Sequence, residues 1–128
     1  MAMTTPTITR YTIGEASRRS GFSMDTLRYY EKIGLLVDVD RSSTGHRCFT
    51  DEDLGWLGTL KCLRDTGMPV ADMLAFAELT RAGDHTIPQR VALLESHHAR
   101  VSEHIADLRT KHDGIAAKIA WYRGVLDG

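Results

Sequence analysis

The clearest pattern of hydrophobic and polar positions lies in the last third of the chain. Between residues 91 and 122, apolar or ring-bearing side chains recur in alternating steps of three and four residues, and the flanking positions are polar. This spacing is a heptad seam, which predicts a coiled-coil helix over residues 87–123. A narrow seam is not stable alone, and the other predicted helices are too short to cover it, so a second copy of the chain is the expected partner. The seam positions are Val91, Leu94, His98, Val101, Ile105, Leu108, His112, Ile115, Ile119 and Tyr122.

A short helix is predicted near the start of the chain, in the stretch YTIGEASRRSG. Thr12 and Glu15 have the spacing of a capping box, so this helix should begin near Ile13. Gly21 should end it, because glycine readily adopts the left-handed conformation that closes a helix.

A second short helix follows after a tight turn. Ser23 is a suitable N-cap, and Gly34 closes a helix over residues 24–33. Leu27 and Tyr30 are spaced to face the core, and two short helices with this turn are typical of a helix-turn-helix. The other faces carry Arg28, Tyr29 and Lys32, a cationic and aromatic set, with Thr26 beside them.

The stretch LVDVDRSSTGHRCFT places apolar residues on both sides of a polar turn, which predicts a two-stranded wing. Leu36, Val37 and Val39 precede the turn, and Arg47, Cys48 and Phe49 follow it.

Two further helices are predicted between the wing and the coiled coil. Thr50 and Asp53 suit the start of the third helix, and Gly67 suits its end. The fourth helix is expected to hold Pro69 in its first turn and to continue through Leu79. The following stretch, TRAGDHTIP, is expected to be a loop.

Charge and composition add little to this picture. The net charge is −1, although residues 1–50 carry seven Lys and Arg against five Asp and Glu. The first residues are polar, without the apolar run of a signal peptide, and no segment approaches the roughly 20 apolar residues of a membrane helix. Two cysteines form no metal-type cluster or disulfide framework, so a reducing, cytoplasmic location is the simplest interpretation.

The stretch YTIGEASRRSGFSMDTLRYYEKIGLL, followed by GHRCFTDEDL and a long terminal coiled-coil helix, resembles the MerR family of bacterial transcription regulators. The resemblance implies a mainly α fold: a winged helix-turn-helix with linking helices over residues 11–79, then an antiparallel coiled coil. It further implies a homodimer on double-stranded promoter DNA. Such regulators bend and untwist a promoter with an over-long spacer, and thereby act on RNA polymerase indirectly. The wing departs from the family pattern, because His46 and Phe49 alter its hydroxyl contacts.

Arg28 is the first candidate for DNA contact, because a guanidinium can fork onto a phosphate or a guanine edge. The alternative is a solvated arginine or one paired within its helix to Glu31. The full set of DNA-contact candidates is Arg18, Arg19, Ser23, Thr26, Arg28, Tyr29, Arg41 and Arg47.

Cys62 is the candidate for effector sensing, in the stretch LKCLRDTGMP. This run resembles the aldehyde- and electrophile-responsive subgroup of the family, in which one cysteine of this helix is the proposed sensor. Gly55 and Gly58 share its helix face, which suggests a close approach by a partner helix or an effector. A small buried hydrophobic role for Cys62 is the alternative, and Cys48 in the wing is the competing thiol.

No nucleophile–base set or metal site stands out, so an enzyme is disfavoured and no cofactor or metal is predicted. Two other functions remain open. One is a protein that sequesters small molecules, and the other is an architectural DNA-bending protein without effector response.

Overall fold

The computed structural model describes residues 9–36 and 39–128 and is mainly helical in these ranges. Val37 of the predicted wing, and the polar start of the chain up to Ile8, lie outside them. The elements in chain order are α1 (Ile13–Ser20), α2 (Met24–Ile33), β1 (Asp40–Arg41), β2 (Arg47–Cys48), α3 (Asp51–Asp65), α4 (Val70–Ala82) and α5 (Ile87–Asp127).

The start of α1 is fixed by the predicted capping box. The Thr12 hydroxyl accepts a hydrogen bond from the Glu15 backbone N–H at 3.2 Å, and the Glu15 carboxylate accepts one from the Thr12 N–H at 3.1 Å. Two N–H groups that a helix start leaves unpaired are thereby satisfied. Gly21, at a φ of 81°, ends the helix as predicted.

The bounds predicted for α2 are also confirmed. The Ser23 hydroxyl accepts from the Thr26 N–H at 3.1 Å at the N-terminal end. Gly34 closes the other end at a φ of 91°, a conformation that side chains with a Cβ rarely adopt. The backbone then turns back, so that Leu35 and Leu36 are both buried.

The predicted wing is present, with two residues in each strand. Asp40 pairs with Cys48 and Arg41 with Arg47 in an antiparallel register. Beyond the sheet, Phe49 exchanges two backbone hydrogen bonds of 2.8 Å with Tyr11, which ties the wing to the residues before α1. Leu36 belongs to the core and not to the wing strand, because the chain turns inward directly after Gly34.

Three details of the linking region differ from the sequence prediction. Pro69 is the N-cap of α4 and not a member of its first turn. The helix also continues past Leu79 and ends at Ala82. Within this last turn, the Thr80 hydroxyl donates a hydrogen bond to the Phe76 carbonyl at 2.9 Å.

The expected loop TRAGDHTIP is therefore wrong. After Gly83, residues Asp84–Thr86 form one 3₁₀ turn, and the buried Thr86 hydroxyl donates to the Gly83 carbonyl at 2.8 Å. Pro88 lies in the first turn of α5, where a missing N–H costs nothing because no helical acceptor exists there.

The core of the unit that ends at Thr86 lies behind α2. Leu27 and Tyr30 are buried, and the Tyr30 ring meets Phe22 edge-on at 5.2 Å between centroids. Trp56 of α3 stacks on Phe76 of α4 at 5.5 Å. The largest fully buried side chains are Phe22, Phe49, Leu27, Leu35, Leu57, Leu60 and Met73.

The second unit, from Ile87 to Gly128, consists of the 41-residue helix α5. At 1.5 Å per residue its length is about 60 Å. The predicted long helix is confirmed, and it continues to Asp127. Apolar side chains along it are exposed in the protomer, and they include Val91, Ile105, Leu108, Ile115, Ile119, Trp121 and Tyr122. Among the helices of the described ranges, none has the length and hydropathy needed to cross a membrane.

The capping box at α1 generates a pH prediction. Hydrogen bonds from the Thr12 backbone N–H and hydroxyl hold the pKa of Glu15 below its ordinary value of 4.5. A lowered pKa contributes stability that is present above the ordinary value and is lost as the pH falls through the folded-state value. We expect Thr12→Ala to raise the Glu15 pKa toward 4.5, as measured by carboxyl ¹³C NMR titration.

The matched control is Thr50→Ala, which disrupts the equivalent capping box of α3, between Thr50 and Asp53. It should leave the Glu15 titration unchanged. An unaltered Glu15 pKa in Thr12→Ala would contradict the assignment of the shift to the capping hydroxyl.

Candidate nucleic-acid interface

Helix α2 is held on one face and exposed on the other. Leu27 and Tyr30 are buried, whereas the Arg28 side chain is 48% exposed and Tyr29 is 52% exposed. The sequence predicted this division from the spacing of the four residues. A cationic and an aromatic side chain therefore point from the second helix of a helix-turn-helix into solvent, which is the usual arrangement of a recognition helix.

Arg28 is paired within its helix, but its partner is not the residue considered from the sequence. Its guanidinium donates to Asp25 at 3.0 Å, one turn earlier, and not to Glu31. The Asp25 side chain is 96% exposed. An exposed pair of this kind contributes little energy, so Arg28 is easily redirected to a stronger anion such as a phosphate.

Glu31 binds both arginines of the wing. One carboxylate oxygen accepts from the Arg41 Nη2 at 3.1 Å, and the other accepts from the Arg47 Nε. This role of Glu31 is not visible in the sequence. The partners lie ten and sixteen residues away, and only the folded wing brings them together.

The turn of the wing is closed by its own hydrogen bonds. Ser42 donates its backbone N–H to the His46 carbonyl at 2.7 Å, and Arg41 donates to the Gly45 carbonyl at 3.1 Å. The Thr44 hydroxyl lies 2.9 Å from the His46 Nδ1. His46, one of the two departures from the family pattern, therefore takes part in the hydrogen bonds that close the turn.

Arg18 and Arg19 are both exposed on α1, and Arg19 also contacts an aromatic ring. The Arg19 guanidinium lies 4.7 Å from the centre of the Tyr11 ring. The Tyr11 hydroxyl in turn donates to Asp51 at 2.8 Å, and this hydrogen bond raises the pKa of the tyrosine. Arg19 is thus held against an aromatic face.

A recess of about 230 Å³ lies between the start of α1, α2 and the wing. It brings Arg28 and Arg47, which are distant in sequence, onto one surface. The Ser23 hydroxyl donates a hydrogen bond to the Thr26 hydroxyl at 2.9 Å and accepts one from the Thr26 backbone N–H. Both residues therefore stabilise the N-terminal end of α2. The residues that line the recess are Thr12, Ile13, Arg28, Gly45, His46 and Arg47.

Arg10 is a further cation at this surface, and it is not among the candidates predicted from the sequence. It forms an ion pair with Asp40 of β1 at 2.5 Å, and the hydrogen bond to Asp40 raises the pKa of Arg10. Arg10 directly precedes Tyr11, which pairs with Phe49 after the wing. Only the folded chain shows that this pairing brings Arg10 next to the wing.

The candidate sensor Cys62 is exposed on α3. Gly55 and Gly58 on the same face are exposed too, and a Cβ added at either would meet nothing within 4 Å. The buried role considered for Cys62 is therefore wrong for the protomer. Cys48 is half-buried and donates its thiol to the His46 carbonyl at 3.8 Å.

Comparison with known proteins identifies the family. Residues 11–73 match the model of the MerR HTH family regulatory proteins. An uncharacterised HTH-type transcriptional regulator of Haemophilus influenzae is 44% identical over 113 residues, which cover 88% of this chain and 84% of that protein. The crystal structure of HiNmlR, a MerR family regulator lacking the sensor domain, bound to promoter DNA, aligns with a TM-score of 0.83 at 43% identity. It covers 90% of this chain and 91% of HiNmlR. This chain belongs to the MerR family of transcriptional regulators.

Another relative, the HTH-type transcriptional regulator AdhR of Bacillus subtilis, is 32% identical over 91 residues. That match covers 71% of this chain and 65% of AdhR. The family membership accounts for the helix-turn-helix, the wing and the long terminal helix together.

Proposed function

We propose that this MerR regulator binds double-stranded promoter DNA as a homodimer and distorts a promoter with an over-long spacer. The observation that carries the proposal is the recess in which Arg28 of α2 and Arg47 of the wing share one surface. Two guanidiniums from two elements can contact neighbouring phosphates of one strand, and the exposed Tyr29 of α2 is a further candidate for contact. The structure of HiNmlR on promoter DNA supports the same use of the shared fold.

The DNA proposal predicts the effect of Arg28→Ala. Loss of one phosphate contact should weaken binding to the operator and reduce the slope of log K against log salt by about 1, because one fewer counterion is released. Fluorescence anisotropy with a duplex from the upstream region of the gene, at several salt concentrations, measures both quantities.

The control for this experiment is Arg123→Ala, which removes the same charge from the far end of α5. It should leave the affinity and the slope near those of the parent. Equal affinities and slopes for Arg28→Ala and the parent would show that α2 is not the reading helix.

The homodimer proposal depends on the exposed seam of α5. Ile105 and Leu108 are 45% and 52% exposed in the protomer, in the middle of a helix that carries the heptad spacing. A second α5 in antiparallel orientation would cover this seam. A helix of about 60 Å is long enough to set the distance of roughly 34–36 Å between two half-sites.

The seam predicts the effect of replacing Ile105 and Leu108 with lysine. Two buried charges without partners should abolish the dimer, since each would have to be desolvated in the seam. Analytical ultracentrifugation measures the result. A control with the same added charge replaces Ala106 and Thr110, which lie off the seam, and it should remain dimeric. A folded dimer in the seam variant would contradict the proposal.

Promoter distortion and effector response form one mechanism in this proposal. If the two DNA-binding units sit at fixed separation, a change in their relative orientation changes the twist of the spacer between them, and RNA polymerase then engages both promoter elements. Cys62 is the proposed trigger. It is exposed on α3, the helix that follows the wing. Its sulfur can add to the carbonyl carbon of an aldehyde: the C–S bond forms as the C=O π bond breaks, and the thiol proton passes through solvent to the oxygen, which gives a hemithioacetal. With a diamide-type oxidant the sulfur adds across the N=N bond, and the second nitrogen takes the proton. The adduct would alter packing on the open Gly55–Gly58 face.

The trigger proposal predicts different outcomes for the two thiols. An aldehyde or a diamide-type oxidant should change transcription through Cys62 while DNA stays bound, whereas modification of Cys48 in the wing should release DNA. Cys62→Ser and Cys48→Ser are compared by footprinting and by transcription in vitro. A parent-like response in Cys62→Ser would place sensing elsewhere, and no response in the parent would favour the architectural alternative.

A further inference from the structure

Three elements meet at the carboxylate of Glu31. The residue lies in the last turn of α2, and its two oxygens accept from Arg41 of β1 and from Arg47 of β2. Arg41 also donates to the Gly45 carbonyl in the turn of the wing. One side chain on the recognition helix therefore contacts both strands and, through Arg41, the turn between them.

The burial of the Glu31–Arg47 pair distinguishes it from the other ion pairs on this face, including that of Arg41, whose side chain is 48% exposed. The side chains of Glu31 and Arg47 are 24% and 26% exposed, whereas the carboxylate that pairs with Arg28 is almost wholly in solvent. Partly buried, charge-assisted hydrogen bonds are stronger and less screened by salt than exposed ones. Glu31 therefore restrains the position of the wing strongly, whereas Asp25 restrains the Arg28 side chain only weakly.

The geometry also leaves donors for DNA. An arginine has five N–H groups, and the hydrogen bond of Arg47 to Glu31 uses its Nε. The four N–H groups on the two Nη atoms remain to reach a phosphate. Arg47 lines the same recess as Arg28, so fixing its Nε fixes where those donors stand relative to α2.

A carboxylate beside a phosphate-binding surface is electrostatically unfavourable for DNA. Glu31 lowers the positive potential that attracts any duplex, whatever its sequence. Its benefit must then lie in geometry, because a wing ordered before binding loses less conformational entropy when it docks. That benefit is realised only where the half-site matches the fixed spacing of helix and wing.

We propose that Glu31 is a positioning residue that sets the wing relative to α2, and so exchanges general affinity for discrimination between operator and other DNA. The inference rests on the proposed function. It assigns to an acidic residue of the recognition helix a role that does not require contact with DNA.

The test compares affinities for operator and for a scrambled duplex of equal length. Glu31→Gln should bind the scrambled duplex more tightly, because a negative charge is lost, and the operator less tightly, because the wing is no longer fixed. The dissociation constant for the scrambled duplex divided by that for the operator should fall by about three- to tenfold, the range expected for a partly buried charged network. The matched control is Asp25→Asn, which removes the same charge from α2 without loosening the wing. It should strengthen both affinities alike and leave the ratio unchanged.

A second variant separates geometry from charge. Glu31→Asp keeps the charge on a shorter side chain, so a reduced ratio in this variant reports the lost reach. In the parent and variants without DNA, ¹⁵N relaxation of residues 40–48 should show a more mobile wing for both replacements, with α2 and core amides unchanged. An unaltered ratio and an unaltered wing in both variants would overturn the inference, and so would a rise of both affinities by the same factor.

The outcomes also distinguish this inference from the proposed function. A parent protein that shows no preference for its operator would refute the function itself. A parent that discriminates, with variants that discriminate equally well, would refute only the role of Glu31.

Discussion

The turn after the recognition helix is the constraint on which the DNA-binding unit depends. A helix leaves its last carbonyls without helical partners, and a buried carbonyl needs a donor. Here the Leu35 carbonyl accepts from the Trp56 Nε1 at 2.7 Å, and the Gly34 carbonyl accepts from Arg81. These donors come from α3 and α4, so both linking helices fix the point where α2 ends. The exposed face of α2 has a defined direction because its C-terminal end is held in this way.

The charges of this unit are balanced locally, which explains why its net charge reveals so little. Arg10 contacts Asp40, Arg28 contacts Asp25, and Glu31 contacts two arginines of the wing. A duplex would meet wing arginines already oriented by Glu31, and an Arg28 whose exposed pair with Asp25 is easily exchanged for a phosphate. Such a surface attracts DNA less strongly at a distance than an uncompensated one, but it holds its donors in place at contact.

Local signals were enough to predict the starts of α1, α2 and α3 and the turn of the wing. Thr12, Ser23 and Thr50 act through residues three positions away, so their spacing is visible in the sequence. The contacts of Glu31 and Arg81 span ten to forty-seven residues, and no short pattern encodes them. The end of α4 was placed too early because the Gly and Pro of TRAGDHTIP indicate a loop, whereas Gly83 alone breaks the helix and Pro88 is tolerated in the next one. The sequence indicates Arg28 and Arg47 as candidates for DNA contact, but it indicates neither the recess that they share nor the carboxylate that orients Arg47.

The two tryptophans occupy environments that make them separate optical reporters. Trp56 stacks on Phe76 and donates to the carbonyl that follows α2, so its emission depends on the packing behind the recognition helix. Trp121 is 59% exposed on α5, with the Lys118 ammonium 5.2 Å from its ring centre. An event at the promoter-binding end would therefore change a half-buried, hydrogen-bonded indole, whereas the covering of α5 would change a solvated one. The chain contains, without any label, one spectroscopic signal for each of its two units.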